Sequence, residues 1–169
     1  MKRWSSILLL TPWLALSARA LSPGDAAPDF SAASTANATV SLSGLKGKWV
    51  VLFFYPKSFT PGCTKQSCSL RDGYKDLLGK KAVVLGVSLD RLETQKKFKE
   101  EHKLPFDLLS DEDKAMATAY RVLGMGGLFA RRVTFIIGPD GKIASILDRV
   151  NVDRHAQDVA DELTRLQAR

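Results

Sequence analysis

Apolar positions along this chain follow two rhythms that alternate. Trp49-Val50-Val51-Leu52-Phe53-Phe54-Tyr55 is an unbroken apolar run of β-branched and aromatic residues, ended by Pro56. Such a run is a strand buried on both faces, as in the middle of a sheet. Ala82 to Leu89 and Val133 to Ile137 repeat it, and Phe106 to Leu109 is a shorter version. Between them the pattern turns helical. It predicts a helix over Cys63 to Leu78, with Pro61 near its start and Gly79 as its stop. A polar helix over Leu92 to His102 and another over Asp111 to Tyr120 follow. Gly138-Pro139-Asp140-Gly141 has turn chemistry and sends the chain back as a hairpin strand over Ile143 to Leu147. Asp153 to Gln167 places Val159, Leu163 and Leu166 on one helical face. Ahead of these elements, Leu21 to Gly47 reads as a loose arm with a small hairpin, its alternating pieces around Asp29-Phe30 and Val40-Ser41-Leu42. Strands alternating with helices predict an α/β domain over residues 21–169, with a mixed central β-sheet flanked by helices.

The first twenty residues follow neither rhythm. Lys2 and Arg3 give a positive start, Ile7 to Leu16 is apolar apart from Thr11 and Pro12, and Ala18-Arg19-Ala20 presents small residues for cleavage. That three-part pattern predicts a secretory signal peptide over residues 1–20. A membrane anchor needs about twenty apolar residues, twice what this stretch offers. The expectation is export, to a periplasm or through a secretory route to the outside, with no membrane insertion after cleavage. Loss of Lys2, Arg3 and Arg19 lowers the net charge from +7 to +4. Lys96, Lys97 and Lys99 lie among Glu93, Glu100 and Glu101, a solvated face rather than a basic patch. Nucleic acid is therefore not an expected partner.

The chain has 169 residues, 45% of them hydrophobic. A domain of this size builds its core without disulfides, which leaves its two cysteines for chemistry. Cys63 and Cys68 are both expected on the first helix. Five helical residues rise about 7.5 Å and turn about 140°, which sets the Cα atoms roughly 8.6 Å apart on different faces. A disulfide needs about 7 Å or less, so the two can bond only if the segment unwinds. A structural staple is the alternative, and it requires the helix to begin well after Cys63. In the first turn, unpaired N–H groups and the helix dipole favour a thiolate at Cys63. Cys68 lies deeper and lacks that aid. Cys63 thus reads as nucleophile and Cys68 as its partner.

A thiolate nucleophile also needs donors for the negative charge that develops on its leaving group. Thr60, three residues before Cys63, has a hydroxyl. Arg132 opens a core strand after a glycine-rich stretch, with Arg71 and Arg131 as rivals.

Pro56-Lys57-Ser58-Phe59-Thr60-Pro61-Gly62-Cys63, with Cys68 five residues on, resembles the active-site segment of peroxiredoxins, most nearly the PrxQ or bacterioferritin comigratory group. Ala27-Pro28-Asp29-Phe30, Arg71-Asp72, Leu104-Pro105-Phe106 with Leu109-Ser110-Asp111, and Arg132-Val133-Thr134-Phe135 extend the resemblance along nearly all the mature chain. It implies a thioredoxin-like fold with no metal or organic cofactor. It makes Cys63 the peroxidatic and Cys68 the resolving cysteine, joined in an intramolecular disulfide during turnover. It assigns Thr60 and Arg132 to peroxide binding and transition-state stabilisation, and Pro56 to shielding the pocket. The implied partners are a peroxide substrate, hydrogen peroxide or an organic hydroperoxide, and a thioredoxin-like dithiol reductant. A monomer is the expected form. The family often has Asp at Ser58 and Glu at Gln66, departures that touch pocket detail and rate rather than the reaction.

Two other functions are weaker. Protein thiol-disulfide oxidoreductases typically carry Cys-x-x-Cys, and the gap here is longer. A metal-binding module would need His102 and His155 at ligand spacing, which they lack; each reads as a surface residue of its helix.

Overall fold

The computed structural model describes residues 20–168. Except for Ala20, the expected signal peptide lies outside the described residues.

After an arm that carries the short antiparallel hairpin β1 (Ser31–Ala33) and β2 (Thr39–Ser41) come β3 (Trp49–Phe54), α1 (Pro61–Asp72), α2 (Tyr74–Gly79) and β4 (Ala82–Ser88). They are followed by α3 (Leu92–Glu101), β5 (Asp107–Ser110), α4 (Ala115–Ala119), β6 (Val133–Ile137), β7 (Ile143–Leu147) and α5 (His155–Gln167). The main sheet has the order β5-β4-β3-β6-β7. The β3–β4 and β4–β5 pairs are parallel, and the β3–β6 and β6–β7 pairs antiparallel, so the sheet is mixed as expected.

Alternation along β3 divides the core in two. Val50, Leu52 and Phe54 join Phe30, Met116, Tyr120 and Phe135 under the arm and α4. Val51, Phe53 and Tyr55 join Leu70, Leu77, Phe98, Val159 and Leu163 under the other helices. The apolar run in β3 is continuous because both faces of this strand are covered.

Two elements differ from the sequence pattern. The single helix expected over Cys63 to Leu78 breaks at Gly73. A Cβ there would come 2.5 Å from the Ala156 Cβ, so glycine lets α5 approach and the chain turns at that contact. The second piece does end at Gly79, but the left-handed residue beyond it is Lys81, at φ 57°. The helix expected from Asp111 begins only at Ala115. The Asp111 carboxylate instead accepts the N–H groups of Met116 and Ala117 at 2.8 and 2.7 Å, and Lys114 is left-handed at φ 64°.

Candidate active site

The loop between β3 and α1 is held from below by polar groups. Asp90 accepts the Ser58 N–H at 2.7 Å and the Ser88 hydroxyl at 2.8 Å. The Tyr55 hydroxyl lies 3.1 Å from Ser58 Oγ, and burial raises its pKa, so it stays a neutral phenol. Above this anchor Phe59 takes a left-handed φ of 66°, a conformation costing roughly 1–2 kcal/mol. Its ring stacks edge-on against Phe98 at a centroid distance of 5.1 Å.

That loop delivers Thr60 as the N-cap of α1. Pro61 carries no N–H, and the Thr64 N–H closes on the Thr60 carbonyl at 2.9 Å. The N–H groups of Gly62 and Cys63 therefore sit in a first turn with no helical carbonyl to receive them. Cys63 is fully buried there and Cys68 is half-buried; both thiols are free. With α1 continuous from Pro61 to Asp72, the staple alternative fails, because both cysteines lie on one intact helix.

Arg132 precedes β6, which pairs with β3 in the register Phe54↔Val133. That register sets Arg132 beside the end of β3, and its Nη2 donates to Cys63 Sγ at 3.4 Å. The rivals are engaged elsewhere. Arg71 binds Asp72 and the His102 carbonyl, and Arg131 binds the Arg121 carbonyl. The Thr60 hydroxyl donates to the Lys57 carbonyl at 2.8 Å, so it keeps lone pairs but no proton for a ligand. Pro56 is half-buried at the start of the same loop. Sequence reasoning missed His155. It is not a surface residue: its side chain is 1% exposed and lies against Gln66 and Thr134. Its place at a helix start carried no signal of that burial. His102 is half-buried and packs on Phe98. Among the described residues no cluster of three or more potential metal ligands occurs, and no helix is long and apolar enough to cross a membrane.

Residues 23–146 match the model of the AhpC/TSA family. This chain belongs to that family. Peroxiredoxin Bcp of Bacillus subtilis is 38% identical over 146 residues, which cover 83% of this chain and 93% of that protein. Peroxidoxin BcpB from Mycobacterium tuberculosis is 33% identical, with a TM-score of 0.79 over 86% of this chain and 97% of its own. The Xanthomonas campestris bacterioferritin comigratory protein, whose structures with trapped intermediate and ligand concern its alkyl peroxide reduction activity, is 30% identical, with a TM-score of 0.76 over 88% and 96%. An AhpC/TSA protein with these relatives is a peroxiredoxin of the PrxQ or Bcp group with a thioredoxin-like fold. Peroxiredoxins are thiol-dependent peroxidases, oxidoreductases that take a peroxide and are generally recycled by a thioredoxin-type reductant.

Proposed function

We propose that Cys63 is the peroxidatic cysteine of this peroxiredoxin and Cys68 the resolving one. The observation that carries the reading is the Arg132 guanidinium 3.4 Å from Cys63 Sγ at the open end of α1. The cation and the positive end of the helix dipole both stand where an attacking sulfur carries its charge. The thiolate attacks one oxygen of the hydroperoxide, and the O–O bond breaks. Arg132 donates to the developing oxyanion while Thr60 accepts the hydroperoxide O–H, and Pro56 limits the water that reaches the site. The oxygen bound to sulfur keeps its hydrogen, so Cys63 becomes a sulfenic acid, and the departing oxyanion takes a proton from solvent and leaves as water or an alcohol. The first turns of α1 then unwind, and the Cys68 thiol condenses with the sulfenic acid, releasing water and forming the disulfide. A thioredoxin-like dithiol reduces it by exchange.

Hydrogen peroxide and organic hydroperoxides are the proposed substrates; the alkyl peroxide activity of the Xanthomonas relative supports the second. The protein acts after export and removal of residues 1–20, a reading that rests on the signal-like pattern; its proposed form is a monomer. Peroxide turnover with a thiol reductant tests the chemistry. Cys63→Ser abolishes turnover, whereas Cys68→Ser consumes about one equivalent and stalls as sulfenic acid. Full activity in Cys63→Ser overturns the assignment.

A further inference from the structure

The guanidinium that reaches Cys63 is held from behind by neutral groups. Arg132 Nη1 donates to Gln66 Oε1, Gln66 Nε2 lies 3.2 Å from His155 Nδ1, and His155 Nε2 lies 3.0 Å from Thr134 Oγ1. Gln66, Thr134 and His155 are all buried. Donor and acceptor identities follow from one end of the chain. Arginine only donates, so Gln66 must face it with its carbonyl oxygen. The amide NH₂ then points at His155 Nδ1, which must accept and so carries no proton. The ring proton sits on Nε2 and is given to Thr134 Oγ1. Only one orientation of the amide and one tautomer of the neutral imidazole satisfy every contact.

We propose that His155 is a positioning residue of this peroxidase: its bare Nδ1 fixes the Gln66 amide, which holds Arg132 over Cys63 without taking up the guanidinium charge. The inference rests on the reading of Cys63 as the attacking thiol. An amide without the imidazole acceptor can flip and set its NH₂ against the guanidinium, donor against donor. A carboxylate at position 66 would instead pair with Arg132 and compete with the thiolate for its charge. The ring's surroundings agree with a neutral form. It faces Gln66 of α1, Thr134 of β6, the Phe53 ring of β3 at 6.2 Å and the Arg132 cation. The acidic groups beside the start of α5, Asp153 and Asp158, are paired with Lys65 and Arg154. Burial and Arg132 push the His155 pKa down to about 4.

The test uses the full chain with Cys68→Ser, which leaves Cys63 as the single thiol. Two readouts are taken: the rate constant with hydrogen peroxide, and the pH profile of Cys63 alkylation by iodoacetamide. His155→Leu should slow the peroxide reaction about tenfold and move the alkylation profile about one unit to higher pH. His155→Asn, whose side-chain oxygen stands near the lost Nδ1, should recover most of both. Equal losses in the Leu and Asn variants would mean that the ring only fills space, and no change in either would mean that it does nothing for Arg132; each result overturns the proposal. Should His155→Leu not fold, His155→Phe, which fills the space beside Phe53 without an acceptor, decides: a profile moved to higher pH supports the proposal, and an unmoved or lowered one overturns it. The alkylation profile needs no peroxide. A wild type inert to peroxide would therefore refute the peroxidase reading while the positioning of Arg132 is still judged by alkylation.

Discussion

At position 62 the active site depends on a missing side chain. A Cβ on Gly62 would lie 3.3 Å from Arg132 Nη2, tight enough to push the guanidinium aside by a few tenths of an ångström. Alanine is otherwise the better residue in a helix, by roughly 0.5–1 kcal/mol. Gly62→Ala should therefore separate stability from activity. We expect an unchanged or higher melting temperature together with a peroxide rate constant about tenfold lower, measured by stopped flow. A variant as fast as wild type would show that Arg132 does not need that position. Gly62, Cys63 and Thr60 stand out in the sequence as one motif, and Arg132 as the start of an apolar strand. Gln66 was visible only as a departure from a pattern, and His155 was misread, because no periodicity records that the first turn of α5 lies against the sheet.

The helix that carries both cysteines is weakly anchored over the segment that the proposed disulfide requires to open. Its buried residues are Cys63, Gln66, Ser67 and Leu70, so the first large aliphatic side chain lies beyond Cys68. Unwinding residues 63–68 exposes little apolar surface, and such segments open at small free-energy cost. Ser67 adds to this, since its buried Oγ has no partner among the described residues. Ser67→Ala removes that orphaned hydroxyl and raises helix propensity, stabilising the closed helix by about 1 kcal/mol. The expected outcome is sulfenic acid formation at the wild-type rate and disulfide closure slower by about fivefold, resolved as two phases of intrinsic fluorescence. Equal closure rates would mean that unwinding does not limit resolution. The break at Gly73 was hidden from the sequence pattern because it arises from contact with Ala156 of α5.

Across the whole molecule, the buried imidazole links active-site geometry to acid stability. The folded protein holds His155 at about 4, below the usual 6.5, because burial and the Arg132 charge both disfavour the cation. Between these values the unfolded chain binds a proton that the folded chain refuses. Stability therefore falls as pH drops through this window, and about 3 kcal/mol is lost by pH 4. Urea unfolding at pH 7, 5.5 and 4.5 measures the slope, which His155→Asn should flatten. An unaltered slope in that variant would show that other groups carry the acid sensitivity. The same architecture brings the site together: parallel β3–β4 pairing places Asp90 under the loop that leads to α1, and antiparallel β3–β6 pairing brings Arg132 beside it.

By itself the sequence determined the order of strands and helices, the mixed α/β class, and a cysteine at a helix start with a second one five residues on. These depend on local quantities: the period of apolar residues, the preferences of proline and glycine, and the rise of a helix. Tertiary structure decided between Arg132 and its rivals at the sulfur, and it alone decided where the long helix breaks and why a histidine is buried. Each of those depends on groups brought together from distant parts of the chain, and their contacts are set by strand register and helix packing rather than by any spacing along the sequence.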